Sequence, residues 1–182
     1  GVTKKWFGTV GDKIVVDLVR GSNEEIVQTL TKYKTDFDGS STWKFSFDEQ
    51  PKYSPEGTEY SYKVKEHTLD GYKTDITGSV ENGFTITNTE KVEVGVTKKW
   101  IVTGKEKIGN EVILKLMNGT EIAAQKKLRK AYLGENTTWT TKFAPVPKYD
   151  AAGNEIKYTV VEDPVPGFKA PAYSGDAKTG FT

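Results

Sequence analysis

The sequence predicts an all-β protein made of two tandem β-sandwiches, and three observations carry that expectation. The chain is rich in Thr, Val, Ile, Tyr, Phe and Trp, residues that suit pleated, half-buried strands. Its 18 glycines and 7 prolines fall between the apolar runs, where turns belong. A hexapeptide, Gly1-Val-Thr-Lys-Lys-Trp6, returns unchanged as Gly95-Val-Thr-Lys-Lys-Trp100, which marks an internal duplication. An aromatic content of 12% is too much core material for a disordered tail.

Each element of the first copy has a counterpart in the second, in the same order. The first strand holds Val2, Lys4 and Trp6 on one face, matched by Val96, Lys98 and Trp100. Ile14–Leu18 corresponds to Val112–Leu116. Glu25–Tyr33 alternates like a strand. Its counterpart, Glu121–Leu133, also admits a helical reading, because Ile122, Leu128 and Tyr132 would roughly share a helix face; strand plus loop is expected for both. Thr42-Trp43 corresponds to Thr138-Trp139, and Pro51-Lys-Tyr53 to Pro147-Lys-Tyr149, a turn before a strand. Tyr62, Val64 and Glu66 form a row on the penultimate long strand, matched by Tyr158, Val160 and Glu162. Gly71-Tyr72 matches Gly167-Phe168. The last strand of the first copy carries Phe84, Ile86 and Asn88, and Gly83-Phe-Thr85 matches Gly180-Phe-Thr182. A period of this length is too long for a solenoid unit and suits one small sandwich. The expected domains are therefore 1–91 and 92–182, the second with its last strand truncated.

Composition excludes several kinds of chemistry. The 182 residues include no cysteine and one histidine, His67. Disulfides, thiolate metal sites, cysteine nucleophiles and His-based metal clusters are thereby ruled out. A hydrolase would need a base together with a metal or nucleophile, which this inventory barely allows. Acidic and basic residues nearly cancel, leaving a net charge of +1, so wholesale binding to nucleic acid or anionic membrane is not expected. No run of about 18 apolar residues exists for a membrane span. Without a signal peptide or anchoring tail, the sequence reads as a piece of a longer chain.

Period-2 alternation gives the sharpest chemical clue, because residues i, i+2 and i+4 of a strand share a face. Three inward rows of the first copy each hold one polar residue: Lys4, Glu66 and Asn88. One reading puts these at the sandwich rim, where long charged side chains reach water. The other buries them together, at a cost of several kcal/mol unless the charges pair or neutralise. Desolvation favours a neutral, nucleophilic amine and a protonated carboxyl. Such a carboxyl polarises an amide and shuttles protons while the amine attacks and ammonia leaves. Folding supplies the proximity. The product would be a Lys4–Asn88 isopeptide bond tying first strand to last.

The ordered set Val2-x-Lys4-x-Trp6, Trp43-x-Phe45-x-Phe47, Pro51-Lys-Tyr53, Tyr62-x-Val64-x-Glu66, Gly71-Tyr72 and Ile86-Thr-Asn88 resembles the collagen-adhesin B-type (Cna B) repeat. The resemblance covers nearly the whole chain, twice. It implies a reverse-immunoglobulin β-sandwich of the kind found in stalks of Gram-positive, cell-wall-anchored adhesins and pilins, many of which close an internal Lys–Asn bond with help from an acidic residue. By that resemblance Lys4 is the reactive lysine, Glu66 the catalytic acid and Asn88 the acceptor. In the second copy Lys98 and Glu162 match, with no acceptor before Thr182; Asn136 and Asn154 lie outside the matching strand. Lys98 is thus an unpaired candidate.

The resemblance further implies an extracellular, bacterial cell-surface location, no cofactor or metal, and no turnover enzyme activity. The implied partners are neighbouring repeats and a head domain of the same chain, with host extracellular matrix reached through the head, and the fragment is expected to be a monomer. A host-matrix- or glycan-binding module of the same kind of adhesin is the alternative.

The remaining signals have plainer readings. His67 follows Glu66 and is expected on the opposite, wet face, as is Lys5 relative to Lys4. Asp36, Asp38, Asp48 and Glu49 read as solvated turn carboxylates rather than a calcium loop. The basic run Lys126–Lys130 reads as a solvated edge that discourages strand pairing. Lys52 and Lys148 sit in Pro-Lys-Tyr order and are not read as polymerisation lysines. Trp6, Trp43, Trp100 and Trp139 recur as pairs, which favours packing over ligand binding.

Overall fold

In the computed structural model, which describes residues 1–182, the alternating runs fold as strands. Residues cluster into two units: Gly1–Glu90 with Pro147–Gly153, and Lys91–Val146 with Asn154–Thr182. The first copy contains β1 (Val2–Phe7), β2 (Lys13–Arg20), β3 (Glu25–Tyr33), β4 (Thr42–Phe45), β5 (Tyr62–Glu66), β6 (Tyr72–Ser79) and β7 (Gly83–Val92). The second contains β8 (Gly95–Lys99), β9 (Glu111–Asn118), β10 (Glu121–Arg129), a helical turn α1 (Lys130–Leu133), β11 (Thr138–Lys142), β12 (Val146–Pro147), β13 (Tyr158–Glu162), β14 (Gly175–Asp176) and β15 (Gly180–Phe181).

In the first unit one sheet runs β7-β1-β4, with β6 on the outer side of β7, and the other runs β3-β2-β5. β1 pairs parallel to β7 from Val2↔Phe84 to Phe7↔Thr89, so the first and last strands of the copy lie side by side. The inward rows Val2-Trp6, Ile14-Val16-Leu18, Val64 and Ile86 meet Trp43 to form the core. The row Tyr62–Glu66 sits on the third strand from the end of this copy, not on the penultimate long one, because β6 intervenes. β6 is an edge strand with few apolar residues and is largely exposed, as edges that avoid aggregation are.

The second unit repeats the plan with sheets β11-β8-β15-β14 and β10-β9-β13. Its core holds Val96, Trp100, Leu114, Leu116, Trp139 and Val160 among others. Glu121–Leu133 is a strand through Arg129, as expected, but its loop part is the single turn α1. That turn stops at Gly134, whose φ of 76° suits glycine. Both edge strands β3 and β10 carry a register shift opposite the end of the central strand, at Leu18/Val19 and at Ile122/Ala124, where bulges commonly twist an edge.

The tryptophan pairs are buried in both units. Trp6 and Trp43 lie 5.2 Å apart between centroids, Trp100 and Trp139 5.3 Å. Each first-strand Trp is seated against a glycine. A Cβ on Gly11 would come within 2.6 Å of the Trp6 ring, and one on Gly109 within 2.5 Å of Trp100.

Candidate functional site

β1 places Lys4 opposite Trp43 on one side and Ile86 on the other, so its side chain enters the sandwich. Asn88 stands opposite Trp6, two residues further along β7 and on the same face. Glu66 arrives from the other sheet, where β5 pairs with β2 at Val16↔Glu66. Lys4 and Asn88 are 0% exposed, and the Glu66 side chain is 1% exposed. None of them reaches water at a rim.

Lys4 Nζ lies 3.0 Å from Glu66 Oε1. The angles do not make a hydrogen bond, and Nζ and Oε1 have no other partner. Burial draws the Lys4 ammonium from its ordinary 10.5 down to about 8, against the opposing charge and proximity of Glu66. The ammonium also sits 4.6 Å from the centre of the Trp6 ring. Thr74, on β6, stands opposite Asn88 in the β6–β7 register. Its hydroxyl is 3.0 Å from Glu66 Oε2 and 2.9 Å from Asn88 Oδ1. The Asn88 Nδ2 atom is buried without a partner. A buried amine of lowered basicity, a carboxyl beside it and an amide in the neighbouring row are the parts of an amide exchange.

In the second unit Lys98 and Glu162 meet at 2.8 and 2.9 Å through both carboxylate oxygens. Lys98 also lies over Trp100, at 4.5 Å. The pair is wetter, with side chains 13% and 5% exposed. It borders an open cleft of about 1000 Å³ that reaches Tyr173 and Thr182. β15 pairs parallel with β8 at Phe181↔Val96, the counterpart of Val2↔Phe84 in the first unit. The Glu162 N–H donates to the Tyr173 hydroxyl at 2.8 Å. Counting on from Gly71-Tyr72 and Gly167-Phe168 puts Ala170 at the position of Thr74, and counting back from Gly78 and Gly175, which pair alike, puts Pro171 there; neither carries a hydroxyl. Asn136 and Asn154 lie outside the strands.

Two residues escape a reading of the sequence. Thr74 lies between Tyr72 and Ile76 in a period-2 row of β6, and its register with Asn88 places it at the site. Asp17 is buried on the outer face of β2. The Thr29 hydroxyl donates to Asp17 Oδ1 at 2.6 Å, and His67 Nε2 approaches Oδ2 at 2.8 Å. Burial alone would raise the Asp17 carboxyl; the hydrogen bonds from Thr29 and His67 outweigh it and hold the group below the usual carboxylate range. His67 itself is on the wet face, with 55% of its side chain exposed. At the matching positions of the second unit the charges are exchanged: Lys115 donates to Asp163 at 2.6 Å.

The other polar clusters are structural. Asp36 accepts from the Tyr33 N–H, and Asp48 binds Gln28. No group of three or more His, Asp or Glu side chains is arranged to hold a metal ion. Lys127 and Arg129 both pair with Glu111 at 3.1 Å, across the β9–β10 edge. No helix is long and apolar enough to cross a membrane.

The family model described as "Cna protein B-type domain" matches residues 1–89 and again 94–182. Among solved structures, the chain is similar to two B repeat units of the collagen binding protein of Staphylococcus aureus, with 23% identity and a TM-score of 0.39. That match covers 99% of this chain and 47% of the other, so the chain spans about half its length. A single B repeat unit of the same surface protein is 26% identical, with a TM-score of 0.38 over 98% of this chain and 92% of that one. The open conformation of the pilus adhesin SpaC from Lactobacillus rhamnosus GG is 16% identical, with a TM-score of 0.39 over 94% of this chain and 20% of the other. No curated protein matches the chain.

Proposed function

The chain belongs to the Cna protein B-type domain family, in two tandem copies, and from that premise we propose that it is stalk of a cell-wall-anchored surface protein. Its role is to hold a binding head away from the wall, and its first domain locks itself with a Lys4–Asn88 isopeptide bond. The chemistry is one turnover per molecule, so the domain is its own substrate rather than an enzyme.

The observation that supports this reading is the burial of Lys4, Glu66 and Asn88 in one apolar core. An unpaired buried charge costs several kcal/mol, and amide formation removes both charge and cost. Lys4 passes a proton to Glu66, and its neutral Nζ attacks Asn88 Cγ. The C–N bond to Nζ forms, the bond to Nδ2 breaks, and the amine's proton reaches the departing nitrogen through Glu66. Ammonia leaves; nothing is oxidised or reduced. Joining the first strand to the last blocks peeling of either under load. Intact mass tests the reading. The wild-type chain is expected one ammonia lighter than its sequence, and Glu66→Ala at full mass with a lower first melting transition. A wild-type chain at full sequence mass overturns it, and leaves Lys4 and Glu66 as a plain ion pair.

A further inference from the structure

Three oxygens stand in line in the first domain. Glu66 Oε2, Thr74 Oγ1 and Asn88 Oδ1 are spaced at 3.0 and 2.9 Å, both hydrogen-bond distances. One hydroxyl hydrogen can be shared weakly between both neighbours, but two full hydrogen bonds need two hydrogens. Thr74 has one, and an amide oxygen has none. If Thr74 gives its hydrogen to Asn88 Oδ1, the other bond must be donated by Glu66, with the proton on Oε2.

We propose that Thr74 is a catalytic relay, through whose hydroxyl the carboxyl of Glu66 polarises the Asn88 carbonyl during bond formation. The proposal rests on the reading that the first domain closes its Lys4–Asn88 bond. Within it, Glu66 acts on both sides at once. Oε1 faces Lys4 Nζ at 3.0 Å, where the proton is taken up. Oε2 faces Thr74, where it is handed on. As Nζ attacks Cγ, the charge growing on Oδ1 is met by the Thr74 hydrogen, and Glu66 replaces that hydrogen on Oγ1. When the tetrahedral carbon collapses, Oδ1 returns its hydrogen to Thr74 and Thr74 returns one to Glu66 Oε2, while the proton that Oε1 took from Nζ passes to Nδ2, which departs as ammonia. Nδ2 has no partner of its own, so nothing in the core holds the leaving group. Atoms balance: one amine and one amide give one amide and ammonia.

The second domain has the lysine and the acid without the relay. Ala170 or Pro171, depending on the end counted from, matches Thr74 and neither has a hydroxyl, and both Glu162 oxygens lie within 3 Å of Lys98.

The test follows the full chain from a short cell-free synthesis pulse by intact mass over time. Wild type and Thr74→Ser are expected to lose ammonia at comparable rates, because both keep the hydroxyl. Thr74→Val keeps the shape and loses the hydrogen; it is expected to close about a hundredfold more slowly, the usual scale for a general acid. Tryptophan fluorescence reports whether the valine chain folds, and Thr74→Ala replaces it if not. Closure of the valine or alanine chain at the wild-type rate overturns the relay and leaves the bond standing. A serine chain as slow as the valine chain also overturns it, since packing of the methyl would then be the cause. A wild-type chain that never loses ammonia removes the bond, and the relay with it.

Discussion

The two domains present the same lysine and the same glutamate on matching strands, and treat them differently. In the first, β7 runs along the whole of β1 and closes the core over Lys4, which is fully buried and drawn down to about 8. In the second, the side chains of Lys98 and Glu162 are 13% and 5% exposed. There the lysine donates one hydrogen bond, to Glu162 Oε1; in the first the groups approach at 3.0 Å without the angles of one. The same lysine–glutamate motif thus meets two degrees of burial, and burial is what lowers the basicity of an amine.

The largest test of that contrast is replacement of each lysine by methionine. Lys4→Met is expected to destabilise the first domain by about 5 kcal/mol, from the lost cross-link and a stranded buried carboxylate. Lys98→Met should cost about 3 kcal/mol, because it strands a Glu162 carboxylate whose pair is somewhat more exposed. Calorimetry resolving two transitions reads both; equal losses would break the comparison. The tryptophans test what the domains share. Trp43→Ala and Trp139→Ala should each cost about 4 kcal/mol in their own domain, since both rings are almost wholly buried.

A smaller effect concerns the exchanged pairs, Asp17–His67 and Lys115–Asp163. Asp17→Lys alone sets a cation beside His67 and Lys65 and should cost about 2 kcal/mol. Adding His67→Asp copies the second domain's pair and should recover about 1 kcal/mol, as a double-mutant cycle in denaturant will show.

The finest distinction is in pH. Asp17 is held below the usual carboxylate range, so its contribution is present above that range and is lost as pH falls through the folded-state value. Lys4 works the other way. In Asn88→Ala, which holds the bond open, the unfolded chain keeps a proton that the folded core has released. The first domain should then gain stability as pH rises from about 8 to 10.5. Urea titrations at several pH values check both slopes, and a falling slope in that upper window would remove the desolvated amine from the account.

Much of this was legible in the sequence. A repeated hexapeptide and the landmarks after it announce two copies. Lys4, Glu66 and Asn88 stand out because each interrupts an apolar row of period two. Thr74 also interrupts such a row, between Tyr72 and Ile76, but that strand is a largely exposed edge and nothing in its own residues says which strands it meets. Asp17 interrupts no row; side chains of the flanking strands cover it from outside. Only register reveals either one.

The sequence by itself determined the class, the duplication and which residues share a face, because strand geometry makes side-chain direction a local property. The tertiary structure decided which polar residues lose water and which oxygens come into line. Burial and hydrogen bonding depend on neighbours from strands far apart in the chain: β1, β5, β6 and β7 for the first site. The same local pattern in Val96-x-Lys98-x-Trp100 meets its glutamate, Glu162, in a less deeply buried ion pair.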